Sequence, residues 1–132
     1  MPRPILAIAL IPMLALVACG QLAPTPAADQ GLAVQSAESL AQSQARGAYL
    51  FYQGVRPLCH ACHSLREGRV IVGPSLAHVG RKGEERLRAV LTQPDAPPAE
   101  GFAKGVMPVW VYAKWLEEDQ VTDLVHFLLT QQ

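Results

Sequence analysis

The run Cys59-His60-Ala61-Cys62-His63 constrains this chain more than any other stretch. A C-x-x-C-H sequence is the covalent attachment motif of a c-type haem. Two thiols three positions apart reach both vinyl groups of one porphyrin, while the adjacent imidazole swings beneath its face to the iron. A chain built on that motif has to wrap a flat apolar disc. The same cysteines would also suit half of a zinc site or a redox dithiol. A structural zinc takes four ligands, however, and no second cysteine pair or His-x-x-x-His run follows. A dithiol of this spacing normally sits at the strand-to-helix turn of a βαβ unit, and no such unit is legible here. His63, directly after the second cysteine, favours haem over both.

At 132 residues the chain has room for one domain and some extra sequence. Eleven basic residues balance eleven acidic ones, so no basic stripe points to nucleic acid. Of the three cysteines, Cys59 and Cys62 are consumed by the motif, and Cys19 is left alone. Its surroundings explain it. An apolar run from Ile5 to Ala18 follows Arg3 and is interrupted by Pro12, which makes it too short to span a bilayer and gives it a signal-peptide profile. The run ends in Leu16-Val17-Ala18-Cys19-Gly20, which resembles the lipobox of bacterial lipoproteins. That resemblance implies removal of residues 1–18 and lipidation of Cys19, with the mature chain held on a membrane without spanning it. Export agrees with the haem motif, because c-type attachment in bacteria takes place outside the cytoplasm.

From Gly20 to about Glu38 the composition turns to Ala, Pro, Gln, Ser and Gly without an apolar period, and it reads as a tether. About 20 flexible residues have an end-to-end distance of roughly 25 Å. Residues 39–132 then form the domain, small enough that a buried macrocycle would supply much of its apolar centre. Helical periods predict a first helix over Ser39 to Gln53, with a Ser39/Gln42 capping box, Leu40, Gly47, Ala48 and Phe51 on one face, and Gly54 as its stop. Mid-helix Gly47 suggests close approach of another helix. A second helix fits Glu84 to Gln93 through Leu87, Val90 and Leu91, with Pro94 ending it. A last helix fits Glu118 to Thr130 through the stripe Val121, Leu124, Val125 and Leu128, with Glu117, Glu118 and Asp119 at its dipole-favoured start. No alternating strand pattern occurs.

The order of a Gly-x-x-x-Phe helix, Cys-x-x-Cys-His, Gly73-Pro74, Met107-Pro108 and a closing apolar helix resembles class I cytochrome c, the small bacterial members most of all. The resemblance covers essentially all of Ser39 to Thr130. It implies an all-α fold of about three to five helices around one covalently attached haem c. It also implies thioethers at Cys59 and Cys62, His63 as proximal ligand, the Pro74 carbonyl orienting that ring, and Met107 as the sixth ligand. Leu76 would pack on the haem and Arg81 would face a propionate. Among the rivals for the sixth position, His60 points away if the motif has its usual turn, and His126 lies beside the packed stripe of the last helix. His78 is the serious competitor. Trp110, Tyr112 and Trp115 are expected to wall the pocket. Two departures from the pattern stand out: Gly54-Val55-Arg56-Pro57 reads as an inserted loop before the motif, and Asp95 to Gly105 is a long loop ahead of Met107.

The implied function is that of a non-enzymatic, membrane-tethered electron carrier on the periplasmic or outer side of the cell. Its redox partners would be a quinol-oxidising complex or dehydrogenase as donor and an oxidase or reductase as acceptor. The alternatives are a dedicated haem subunit of a periplasmic dehydrogenase or reductase complex, and an open-site sensor or peroxidase, which Met107 counts against.

Overall fold

The computed structural model describes residues 27–132, with side chains from Ser36 onward except residue 38. Residues 1–26, which include the expected signal segment 1–18, Cys19 and the start of the expected tether, lie outside the described residues. Within them every regular element is helical and none is a strand. α1 spans Ala27–Tyr49 and continues through a π-helical turn at Leu50–Gly54, and α2 is a single turn, Cys59–Cys62. A 3₁₀ turn at Val79–Lys82 leads into α3, Glu84–Thr92, followed by α4, Val109–Trp115, and α5, Glu118–Leu129. No described helix is long and apolar enough to cross a membrane.

α3 and α5 lie within a residue of their expected ranges. Apolar residues at i, i+3, i+4 and i+7 have only one way to hide from water. Val121, Leu124, Val125 and Leu128 are all buried, as are Leu87 and Leu91. Glu117 and Gln120 form a reciprocal capping box at the start of α5, in which the Glu117 amide donates to Gln120 Oε1 at 3.0 Å.

The first helix differs from expectation at its start. It begins at Ala27 rather than Ser39, so residues 27–38 belong to a helix and not to a flexible tether. Ala, Gln, Leu and Glu have high intrinsic helix propensity, and a segment need not have an apolar face to continue a helix nucleated further along. Ser39 is accordingly no cap, since its hydroxyl donates back to the Ser36 carbonyl at 2.8 Å in mid-helix. Leu40 is exposed as well, because packing starts one turn later at Ser43. The far end agrees with expectation: helical backbone stops at Gly54, and Val55 is extended.

α1 crosses α5 at Gly47. A Cβ there would fall against the Asp123 carbonyl oxygen, 2.6 Å from its carbon and 2.7 Å from Phe127 Cβ, so only glycine permits this approach. Phe51, one turn on and 1 % exposed, fills the crossing, with its ring centroid 5.6 Å from that of Phe127 and 5.0 Å from that of Tyr52. Burying such a side chain contributes roughly 1.5–3 kcal/mol.

A polar cluster closes the same crossing. Ser43 Oγ donates to Asp123 Oδ1 at 2.5 Å and, its one hydrogen spent, accepts from His126 Nδ1–H at 2.8 Å. Arg46 donates twice to the Asp123 carboxylate, at 2.6 and 2.8 Å. This fork holds the Asp123 carboxyl below its ordinary value, against the opposing effect of burial and with help from Ser43. Every buried polar side-chain atom among the described residues has a partner, so the cluster is satisfied and structural.

Candidate haem site

The motif folds as one helical turn. Ala61 N–H donates to Leu58 O at 3.1 Å and His63 N–H to Cys59 O at 2.9 Å, which places both cysteines on one side of the turn and sends His63 off in extended backbone. Cys59 and Cys62 are half-buried and unpaired, and Cys59 packs against the core. Burial pushes the Cys59 thiol up to about 11, so it stays protonated at neutral pH.

The segment after the motif folds back onto it. The amides of Val72 and Gly73 both donate to the Cys62 carbonyl, at 3.2 and 2.9 Å, and Leu76 N–H donates to Ser64 O at 2.8 Å. This return brings the Pro74 carbonyl to 2.9 Å from His63 Nδ1. A carbonyl only accepts, so Nδ1 carries the proton and the Nε2 lone pair is left for a metal. Gly73 backs the ring: a Cβ on it would lie 2.8 Å from Nδ1 and 2.9 Å from Nε2. A side chain there would occupy the space that the imidazole occupies.

Leu76 and Met107 are both partly buried and packed against the core cluster. Arg81 is exposed on the 3₁₀ turn and forms no ion pair among the described residues. The competing histidines are engaged elsewhere. His78 Nδ1–H donates to the Gln132 carbonyl at 2.7 Å, and its Nε2 lies 3.4 Å from Glu67 Oε1. His126 serves Ser43, and His60 is exposed beside the Tyr52 ring at 5.5 Å.

Of the three aromatics expected at the pocket, Tyr112 is buried and both tryptophans are exposed. Trp110 and Trp115 are 67 % and 71 % exposed, and Lys114 Nζ lies 5.8 Å from the Trp115 ring centroid. α4 is a short helix with one buried residue, Tyr112; Trp110 lies on the other side of the helix, whereas Trp115, three residues on from Tyr112, lines a cavity with Tyr112, Val55 and Leu116. The Tyr112 hydroxyl donates to the Pro57 carbonyl at 2.8 Å, inside the loop inserted before the motif. Burial raises the Tyr112 phenol well above its ordinary value, with the nearby Cys59 and Cys62 adding to the shift. Neither this bond nor the Ser43–Arg46–Asp123 cluster was readable from sequence. Their partners are 55 residues apart in the first case and 77 to 80 in the second, with no local pattern linking them.

Among the described residues no cluster of three or more His, Cys, Asp or Glu side chains is placed to hold a metal ion, which leaves the zinc reading without a donor set. The donors present suit a haem instead: two thiols on one face of a turn, an imidazole with a fixed tautomer, and a soft thioether against the same core. A family model described as Cytochrome c matches residues 44–132. Searches of curated proteins and of solved structures found no match. With that family match over more than half of its length, and with an all-helical fold built around the attachment motif, the chain belongs to the cytochrome c family, whose members bind covalently attached haem c.

Proposed function

We propose that this chain is a monohaem electron carrier in which Cys59 and Cys62 form the thioethers and His63 and Met107 are the axial ligands. The observation that carries the reading is the His63 Nδ1–Pro74 carbonyl bond, backed by Gly73. The haem supplies a reversible one-electron change at iron. Pro74 and Gly73 keep the His63 ring in one orientation, so the ligand geometry changes little between redox states and little reorganisation opposes transfer. Met107, a soft thioether, favours the reduced state and raises the potential relative to a second histidine. Leu76 packs on the macrocycle, and Arg81 offers a guanidinium to a propionate.

Val70, Ile71 and Val72 are three consecutive exposed aliphatics, and Val72 is bonded to Cys62, so a redox partner finds an apolar contact beside the attachment site. The near-balanced charge predicts only modest ionic steering toward a quinol-oxidising complex, dehydrogenase, oxidase or reductase.

Absorption spectra of the haem-loaded chain test the ligand set. The expected result is a low-spin spectrum with the thioether-to-iron charge-transfer band and no shift of the reduced form under carbon monoxide. Met107→Ala should lose the band and bind carbon monoxide promptly. A native chain that binds carbon monoxide at once would overturn the carrier reading in favour of gas binding or catalysis.

We further propose that the chain is an exported lipoprotein, cleaved after Ala18 and anchored through Cys19 on the periplasmic or outer face of a membrane. The support is the Leu16-Val17-Ala18-Cys19-Gly20 sequence behind a short apolar run. Cys19→Ser should move the haem-stained protein from the membrane to the soluble fraction. Because cleavage and lipidation depend on the same cysteine, the mass of the native membrane-bound chain is read as well, and a chain without acyl mass on Cys19 would rule out the lipid anchor.

A further inference from the structure

We infer that Tyr112 is a positioning residue that braces the methionine segment against the cysteine segment and so holds the sixth ligand on the iron. The inference rests on the ligand set proposed above. Met107 has little to hold it from upstream. Arg86 of α3 ties the start of the long loop by donating to the Pro97 carbonyl at 2.5 Å, and the other ties are local: Ala96 N–H to Gln93 O at 3.0 Å, Phe102 N–H to Ala99 O at 3.1 Å, and a Lys104–Asp95 ion pair whose side chains are 60 % and 98 % exposed. From residue 98 to residue 106 no hydrogen bond or ion pair among the described residues reaches another element, and local ties do not fix a loop relative to the rest of a domain.

Downstream the connection is short and firm. Val109 N–H donates to the Met107 carbonyl at 2.9 Å, and Val111 N–H to the Pro108 carbonyl at 2.9 Å, so Met107 is continuous with α4. Tyr112 is the one buried residue of that helix, and its ring belongs to the core cluster. Its hydroxyl ends on the carbonyl of Pro57, two residues before Cys59. One side chain therefore joins the two stretches that have to grip opposite faces of the same disc. The loop inserted before the motif and the helix that follows Met107 meet at this bond. Burial keeps the phenol protonated, and therefore donating, across the working pH range.

Tyr112→Phe removes the donor and keeps the ring. Removing the donor strands the Pro57 carbonyl, a loss that one net hydrogen bond sets at about tenfold in an equilibrium. In the haem-loaded full chain we expect Tyr112→Phe to lower the occupancy of the thioether-to-iron band and to speed carbon monoxide binding to the reduced form by about tenfold. Tyr112→Leu, which also removes the ring, should have a larger effect, and Tyr49→Phe, at an exposed tyrosine, none. A residue that only fills the core would lower the melting temperature without moving either ligand readout in the folded protein, as judged by far-ultraviolet circular dichroism.

If the native chain shows the band and Tyr112→Phe matches it in band intensity and carbon monoxide rate, the brace is wrong and the ligand set stands. A native chain without the band overturns Met107 ligation, and the brace with it. Should Tyr112→Leu fail to fold, the phenylalanine variant alone decides.

Discussion

Gly47→Ala should destabilise the chain by roughly 3 kcal/mol or more, even though alanine is the better helix former by about 1 kcal/mol. The added methyl meets the backbone of α5 rather than a movable side chain: the Asp123 carbonyl oxygen and carbon, with Phe127 Cβ on the other side. Relief requires α1 and α5 to separate along their whole contact, which would expose Phe51 and loosen the Arg46–Asp123 fork. For a domain with a total stability of about 5–15 kcal/mol, that is a large share. Urea denaturation of the haem-loaded variant measures it, and a midpoint equal to or above that of the native chain would show that the helices do not cross as closely as described.

The second large effect is local. Gly73→Ala places a methyl within 2.9 Å of both ring nitrogens of His63, so the ring has to tilt and its bond to the Pro74 carbonyl is lost. Losing the partner that orients a metal-bound histidine typically weakens the metal's hold by 10–100-fold. Gly73→Ala should therefore shift the ferric spectrum toward high spin and move the potential, while the α1–α5 packing, and with it the far-ultraviolet circular dichroism, is largely retained. A variant with native spectrum and potential would mean that the Gly73 backing does not position the ligand.

These two glycines also show what was legible in the sequence. Gly47 announced a close helix approach because glycine in mid-helix is unfavourable without a reason, and α5 was visible through its apolar period. The Gly73–Pro74 pairing with His63 came from the resemblance to class I cytochrome c, and the geometry of the three residues accords with it. Residues 27–38 are helical without a sequence signal to show it, because an Ala- and Gln-rich segment has propensity but no period. α2 and α4, at four and seven residues, are too short to show a period at all.

The pairing of α1 with α5 sets an order of events in time. Ser43 and Asp123 are 80 residues apart, so the contact that completes the core joins almost the first described part of the domain to the last. Loop closure over that span is entropically costly, and α1 has nothing to pack on until α5 has been synthesised. The cysteines and His63 emerge well before then, on a chain whose core still lacks one wall. On the export proposed above, the motif reaches the compartment of attachment ahead of α5, and the thiols stay open to an attachment catalyst until that last described helix arrives.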